Sequence, residues 1–226
     1  MSPMSGADWR HWHHAYDDPD SSLSRRLRLV RGHIADVLDA APAGEPVRVL
    51  SLCAGDGRDL LGVLAEHPAA GRVRALLVEL DPVLAAVAAS AAADVGVETG
   101  ADVEIRVGDA GSTATFAEFA PVDLLVLCGI FGNITPEDVR RTVHAARGLC
   151  RRGATVVWTR SRGEPDLVPA VAGWFAEAGF EQLALSPPGQ VSAVGAHRLT
   201  GEPDPVPAEP RLFTFIREPD PPEKAC

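Results

Sequence analysis

Two glycines and one carboxylate are the residues of this 226-residue chain whose spacing points most directly to chemistry. Gly55 and Gly57 lie in the turn Ala54-Gly55-Asp56-Gly57, and Glu79 follows 22 residues after the second glycine. Glycines let a ligand approach the backbone, and an acid about 20 residues further on meets ribose hydroxyls in nucleotide-binding βαβ units. A carboxylate suits that task because it accepts hydrogen bonds from both hydroxyls. The spacing therefore predicts a site for a ligand that carries a ribose.

The glycine turn lies between a predicted strand and a predicted helix. Val47–Leu52 is mainly apolar and β-branched, and Leu60, Leu61 and Leu64 recur at helical spacing after the turn. A helix that begins at the carboxyl end of a strand points its free N–H groups into the crevice where open α/β sheets bind ligands. Two common nucleotide sites are excluded. Leu60 stands where the dinucleotide fingerprint requires a third glycine, and the only lysine for a phosphate loop is the distant Lys224.

The stretch Val47–Leu64, VRVLSLCAGDGRDLLGVL, resembles the first motif of the class I S-adenosylmethionine (SAM)-dependent methyltransferases. In that family a glycine loop passes beneath the methionine half of the cofactor. The family usually places an acid where Ser51 stands and a first glycine where Cys53 stands. Asp56 or Asp59 is then the candidate to contact the cofactor's amino group instead.

The resemblance covers residues 45–217 and implies SAM as the cofactor and S-adenosylhomocysteine (SAH) as its product. By this resemblance Glu79 holds the ribose and Asp81 caps the next helix, with helix capping as the alternative role for Glu79 itself. An acid after the third strand accepts a hydrogen bond from the adenine amino group, which assigns Asp109, although a helix N-cap would look the same there. The residues expected to contact the cofactor are Cys53, Ala54, Gly55, Asp56, Gly57, Glu79, Leu80, Asp109, Ala110, Cys128 and Gly129.

The resemblance places the methyl acceptor beside the loop after the strand Val122–Leu127. This loop lacks the Asn/Asp-Pro-Pro-Tyr/Phe signature of adenine-N6 and glutamine methyltransferases and the Pro-Cys of cytosine-C5 enzymes. A hydroxyl or amine acceptor benefits from a general base, whereas a carboxylate or phosphonate needs only a cationic clamp such as Arg160 or Arg162. The alternative for these arginines is surface pairing with Glu164 or Asp166. The candidate bases are His14, His197 and Tyr16. The residues expected to contact the acceptor are Trp12, His13, Phe131, Asn133, Trp158, Arg160 and Arg162.

Residues 1–42 are predicted to form an arm followed by a helix. Residues 1–20 are polar and aromatic, and they either pack on the domain through their tryptophans or close over the crevice as a lid. A metal site from the histidines of this arm is a weaker alternative, because no carboxylate or cysteine pattern accompanies them, and no metal is expected. Ser21–Ala41 is predicted to be helical because its apolar residues recur at three- and four-residue steps. Its basic first half is either a solvated face or a contact for an anionic substrate.

The rest of the chain alternates between apolar strands and helices. This pattern and the resemblance predict an α/β, Rossmann-like, seven-stranded, mostly parallel sheet with an antiparallel last strand, an N-terminal helical lid and a β-insertion near the C-terminus. Arg211–Arg217 is the expected last strand, and Gln190–Thr200 is expected to be an extra strand or an insertion on the substrate side. The domain is expected to span 43–217, and 218–226 to be a disordered tail. The other predicted elements are strands Val73–Leu80, Val103–Val107, Val122–Leu127, Gly153–Arg160 and Phe180–Leu185, and helices 83–94, 136–150 and 166–178.

Composition limits the partners of the protein. A formal net charge of −10, from 31 acids and 21 lysines and arginines, argues against a long nucleic-acid footprint. The chain has no uninterrupted run of about 18 apolar residues, so no membrane span is predicted, and the N-terminus lacks the apolar core of a signal peptide. The four cysteines show neither metal spacing nor a disulfide framework, which favours the cytoplasm. Monomer and homodimer stay open.

Together these features predict a SAM-dependent methyltransferase that acts on an oxygen or nitrogen nucleophile of a small molecule, such as a secondary metabolite. Three alternatives remain. A nucleotide-dependent oxidoreductase of doubly wound fold is disfavoured by the missing third glycine. A macromolecule methyltransferase is disfavoured by the acidity of the chain. A non-catalytic binding protein with the same fold is allowed by the departures at Ser51 and Cys53.

Overall fold

The computed structural model describes residues 18, 20–206 and 211–216. Within them five α-helices and seven strands alternate along the chain, with short 3-10 turns at Ala70–Arg72, Thr113–Thr115 and Ala117–Phe119. The helices are α1 (Ser22–Ala40), α2 (Arg58–Leu64), α3 (Pro82–Thr99), α4 (Pro136–Leu149) and α5 (Val168–Glu177). The strands are β1 (Val47–Leu52), β2 (Val73–Glu79), β3 (Asp102–Val107), β4 (Val122–Leu127), β5 (Cys150–Ser161), β6 (Phe180–Leu185) and β7 (Ser192–Leu199).

The seven strands form one sheet in the order β3-β2-β1-β4-β5-β7-β6. Strands β1 to β5 pair in parallel, and β7 pairs antiparallel with both β5 and β6. The order in which the chain adds strands to the sheet reverses between β1 and β4. From β1 the chain continues to β2 and β3 on one side, and it then returns to β4 on the other side of β1. This switch point is where open α/β sheets bind ligands. The predicted fold class, including one antiparallel strand in a mostly parallel sheet, is confirmed.

Helices cover both faces of the sheet and bury its central strands. All six residues of β4 are buried, as expected of a strand between two layers of helices. One apolar core lies under α4 and α5, and the other lies between the sheet and α1, α2 and α3. The central strands are therefore fixed on both sides, and their carboxyl ends hold the loops that follow them in defined positions.

The prediction that Arg211–Arg217 forms the antiparallel last strand was wrong. The antiparallel strand is β7, which lies within the stretch that was expected to be an extra strand or an insertion, and it pairs with β5 over seven residues. Gly195 permits this pairing, because a Cβ there would lie 2.4 Å from the Trp158 ring. Arg211–Ile216 instead makes two isolated bridges, from Arg211 to Ser112 and from Phe215 to Ile134. Its alternating apolar residues are anchors, since Leu212 and Phe213 are each 1% exposed.

Helix α3 is longer than the predicted 83–94, and it begins and ends at recognisable caps. Asp81 caps its N-terminus through a 2.8 Å hydrogen bond from the Val83 N–H, and Gly100 ends it with a φ of 79°. By length and composition α3 could cross a membrane, with a mean hydropathy of 1.3 over 18 residues. Here it connects two neighbouring strands of the sheet and packs on them through an alanine-rich face.

Candidate functional site

The glycine loop after β1 makes the left-handed turns that its composition predicts. The φ angles are 55° at Cys53, 60° at Gly55 and 75° at Gly57. There is no room for a side chain at Gly57, because a Cβ there would lie 2.7 Å from Leu61 Cδ1 and 3.0 Å from Leu77 Cδ2. The loop therefore turns tightly from β1 into α2, and its backbone lies open to a ligand.

Glu79 holds this loop against the end of β2. Its Oε2 accepts a 2.7 Å hydrogen bond from the Gly55 N–H, and its Oε1 accepts a 2.9 Å bond from the Asp81 N–H. Each carboxylate oxygen has two acceptor positions, so one on each remains for a ligand. Capping of α3 belongs to Asp81, as predicted, and not to Glu79. Leu80, directly after Glu79, is an apolar side chain that is 59% exposed.

Asp109 lies at the end of β3 and closes a turn, with its Oδ1 accepting a 2.8 Å bond from the Gly111 N–H. Its Oδ2 accepts from the Arg211 guanidinium, a contact from a segment 102 residues away. The structure gives Asp109 no helix to cap, because the nearest helical turn begins at Thr113. The following Ala110 is buried beneath the loop.

The two predicted cofactor acids face the same thiol. Burial raises the pKa of Cys53 well above its ordinary range, and the carboxylates of Glu79 and Asp109 raise it further. The three strands that precede these residues are neighbours in the order β3-β2-β1, so Cys53, Glu79 and Asp109 lie at the same edge of the sheet. That Glu79 and Asp109 bind one ligand stays a prediction.

The second thiol, Cys128, directly follows β4, and burial together with the charge of the Asp59 carboxylate raises its pKa. Burial raises the pKa of Asp59, and the charge of Arg26 opposes that rise. Asp56, the other candidate for the cofactor's amino group, forms an ion pair with Arg58 inside the loop. Of the two acids, Asp59 is the one in the first turn of α2. Both Cys53 and Cys128 are free thiols, as expected.

The basic first half of α1 has a structural task. Arg31 donates two hydrogen bonds, of 3.0 and 2.7 Å, to the carbonyl oxygen of Arg58 at the start of α2. Its guanidinium lies over Gly62, where a Cβ would be only 2.1 Å from Nη2. Helix α1 thus packs against the helix that follows the glycine loop.

The loop after β4 is braced by its own polar groups. The Gly129 N–H donates to Thr159 Oγ1 at 3.0 Å, and the Asn133 amide donates to the Gly129 carbonyl oxygen at 2.7 Å. Phe131 is fully buried, with its ring centroid 5.8 Å from that of Trp158. Phe131 and Asn133 therefore fix the course of the loop. The Phe131 side chain is 0% exposed and cannot contact an acceptor in this conformation, contrary to its predicted role, whereas the contact of Asn133 with the acceptor stays a prediction.

His197 and Trp158 lie in the core, which corrects their assignment to catalysis and acceptor binding. His197 is 1% exposed, and its ring stacks on Trp158 at 6.0 Å and on Phe175 at 4.5 Å. Its Nδ1 accepts a 3.1 Å bond from the Trp158 indole, and burial lowers its pKa to about 4. An acceptor molecule has no route to this ring. Sequence position alone placed His197 in an insertion, whereas β7 carries it between β5 and β6.

The two candidate arginines after β5 differ in their partners. Arg162 donates to Asp166 at 2.7 Å and to the Ser186 carbonyl oxygen at 2.8 Å, which is the surface pairing given as the alternative. Arg160 donates to the carbonyl oxygen of Phe131 and has no ion-pair partner within residues 20–206 and 211–216.

The N-terminal candidates Trp12, His13, His14 and Tyr16 lie outside the described residues. Sequence reasoning missed two residues that the structure adds to the site, Thr159 and Arg211. Thr159 gives no signal in the sequence, because its role depends on the pairing of β4 with β5. Arg211 was assigned to a strand. Across the described part of the chain, no three histidine, cysteine or acidic side chains are grouped as metal ligands.

No protein-family model and no curated protein sequence matches this chain. Solved structures do match it. An O-methyltransferase family protein from Burkholderia thailandensis superposes with a TM-score of 0.55 at 20% identity, over 78% of this chain and 58% of that one. The family 2 O-methyltransferase of Planctomyces limnophilus, in complex with apigenin, gives 0.54 at 19% identity, over 79% and 62%. Aeropyrum pernix fibrillarin with bound SAM gives 0.52 at 18% identity, over 74% of each chain.

The fold is that of the class I methyltransferases. The antiparallel β7 between β5 and β6 distinguishes this methyltransferase fold from the dinucleotide-binding order 3-2-1-4-5-6. The chain spans about three-fifths of the length of the first two matched structures. The glycine loop, Glu79 and Asp109 lie at the end of the sheet where this fold has its ligand crevice.

Proposed function

We propose that this protein binds SAM across the carboxyl ends of β1, β2 and β3 and transfers its methyl group to a small molecule beside β4 and β5. The observation that carries the proposal is the Glu79 carboxylate, which is fixed by two backbone N–H groups and keeps a free acceptor position on each oxygen. A ribose presents two neighbouring hydroxyl donors, which match these two positions.

The remaining cofactor contacts follow from the same crevice. Asp109 lies at the next strand end and accepts from the adenine amino group, while the exposed Leu80 offers an apolar surface to the base. Asp59 is suited to the cofactor's ammonium group, because it lies in the first turn of α2, directly after the glycine loop, and the partial burial that raises its pKa favours a cationic partner. It takes the place of the acid that the family usually has at Ser51.

The protein's contribution to the reaction is alignment. When bound, the sulfonium of SAM supplies an electrophilic methyl group, so an acceptor need only be held in line and kept from water. The loop after β4, braced by Thr159 and Asn133, forms the fixed wall on the acceptor side. With His197 in the core, His14 and Tyr16 remain the candidate bases for a hydroxyl or amine acceptor.

The charge of the protein favours a small acceptor. A net charge of −10 repels the phosphate backbone of nucleic acids. Two of the matched structures are described as O-methyltransferases, and one of them was crystallised with the small molecule apigenin. Fibrillarin shares the fold and has SAM bound, which supports the cofactor more than the acceptor class.

Calorimetric titration of SAM, SAH and NADH into the purified protein tests the proposal. We expect SAM and SAH to bind with one site each, and NADH to give no heat. Adenosine should bind more weakly than SAH, since it lacks the amino-acid half that reaches Asp59. Binding of NADH in preference to SAH, or binding of neither nucleoside, would contradict the proposed function.

A further inference from the structure

Arg160 carries a positive charge that the described residues leave without a partner. The side chain is half-buried at the carboxyl end of β5, and it donates to the carbonyl oxygen of Phe131. Its Nε is buried and has no hydrogen-bond partner. A guanidinium has five N–H donors, and a buried donor without an acceptor is energetically unfavourable. The remaining donors of Arg160 are therefore available to an anion that enters the site.

The neighbouring Arg162 has an ion-pair partner, unlike Arg160. Its Nε also lacks a partner, but its charge is matched by Asp166 at 2.7 Å. The other oxygen of Asp166 accepts a 2.9 Å bond from the Val168 N–H, which fixes this carboxylate beside Arg162. Asp166 acts on Arg160 only at longer range, and burial lowers the pKa of Arg160 in spite of it.

The position of Arg160 is on the acceptor side of the crevice. In the sheet, β5 lies beyond β4, whereas β1, β2 and β3 carry the glycine loop and the two cofactor acids. Neighbouring strands are about 4.8 Å apart, so a cofactor that lies across β1 to β3 leaves the end of β5 uncovered. The contact with Phe131 places the guanidinium directly against the loop after β4.

We propose that Arg160 binds a carboxylate group of the methyl acceptor, which makes the substrate a small organic acid. This inference rests on the proposed function. A guanidinium binds a carboxylate with two parallel N–H···O bonds, and such a pair fixes orientation as well as charge. One carboxylate neutralises one arginine. A phosphate dianion would need a second cation, and Arg162 on the same strand end is already paired with Asp166.

Paired acids and amides test the proposal without knowledge of the natural substrate. The probes are 4-hydroxybenzoate, indole-3-acetate and hexanoate, each compared with its own amide, with phenyl phosphate as a further anion. Each is titrated into the protein saturated with SAH, and the Nε–H resonances of the arginines are followed by NMR. We expect at least one acid to bind about tenfold more tightly than its amide and to shift the Arg160 Nε–H resonance.

Three variants distinguish the planar hydrogen-bonding geometry of the Arg160 guanidinium from its positive charge. Arg160→Gln should bind acid and amide equally, and Arg160→Lys should keep only part of the preference, because an ammonium lacks the planar fork. Arg152→Gln is the matched control. Arg152 lies on the same strand at its other end, where its side chain is 66% exposed and pairs with Glu202, so the preference for the acid should be unchanged.

The outcomes distinguish this inference from the function on which it rests. SAH binding is measured by calorimetry on the same samples, and its absence from the wild-type protein would overturn both. If SAH binds but no acid is preferred over its amide, the carboxylate site is refuted and the proposed function stands. The same holds if Arg160→Lys and Arg160→Gln both keep the full preference, or if phenyl phosphate binds more tightly than every acid.

Discussion

Replacement of Glu79 by glutamine is the sharpest test of the crevice. Glutamine has nearly the same shape, but one of the two carboxylate oxygens becomes an NH₂ donor. The structure gives both oxygens a backbone N–H, from Gly55 at 2.7 Å and from Asp81 at 2.9 Å. The variant can accept only one of these bonds, and the other N–H then faces a donor.

The magnitude follows from the number of bonds lost. A hydrogen bond to a charged group contributes about 1.5–3 kcal/mol, so the free energy of unfolding should fall by about that amount. The same substitution removes one of the two acceptors for the ribose, and an equal loss on binding weakens SAH affinity by about 10- to 100-fold. The two effects are read separately, by urea unfolding and by calorimetric titration of SAH into the folded variant.

Asp81→Asn is the matched control for this variant. Asp81 is two residues away, and its side chain accepts from the Val83 N–H as the N-cap of α3. Asparagine caps helices about as well as aspartate, so neither stability nor SAH affinity should change appreciably. If Glu79→Gln is folded and binds SAH within about twofold of the wild-type protein, Glu79 does not hold the ribose and the assignment of the crevice is wrong.

Three further predictions concern packing and pH. Gly57→Ala should lower the free energy of unfolding by about 1–3 kcal/mol, because Gly57 has a φ of 75° and its added Cβ would collide with neighbouring side chains. Gly32→Ala, on the open face of α1, should raise the free energy of unfolding by about 0.5–1 kcal/mol. Urea unfolding measures both variants, and equal effects would refute the argument. Gly195→Ala should cost about 1–3 kcal/mol in the same measurement, since its Cβ would lie 2.4 Å from Trp158, and an unchanged midpoint would contradict this packing. For His197 the folded pKa, about 4, lies below the unfolded value of 6.5, so the unfolded chain binds more protons between these values and stability falls as pH drops from 6.5 towards 4. The loss of stability is on the order of 3 kcal/mol. His197→Gln, which keeps an acceptor for Trp158, should reduce the pH dependence of stability between pH 4 and 6.5. A pH profile parallel to that of the wild-type protein would show that the His197 ring is accessible to solvent.

The parts of the site that sequence reasoning located are those in which one local stretch determines the structure. Strands β1, β4 and β6 have the predicted bounds, because an apolar run between turn residues leaves few alternatives. The glycine loop and the Asp81 cap follow from rules that act over four or five residues. Glu79 was found for a related reason, since a βαβ unit of ordinary length brings the end of β2 back beside the end of β1.

The residues that were misplaced depend on contacts between distant parts of the chain. His197 was assigned to an insertion because β7 and Arg211–Ile216 both have strand-like sequences, and only one of them can lie between β5 and β6. The choice is decided by Gly195, which fits under Trp158, and by Leu212 and Phe213, which are buried over α4. No local pattern contains this information. The pairing of Arg211 with Asp109 spans 102 residues and is equally invisible in the sequence.

Cys53 shows how a departure from a family pattern can leave the structure of a loop unchanged. The family usually has glycine at this position, and the φ of 55° explains why, since residues with a Cβ rarely adopt it. Cys53 is the only residue other than glycine with a positive φ in the part of the chain that the structure describes. Such a conformation costs about 1–3 kcal/mol, and the packing of the thiol against the core offsets part of that cost. The backbone course is therefore conserved by tertiary packing where composition no longer favours it, so the loop still reaches Glu79 and the crevice keeps its form.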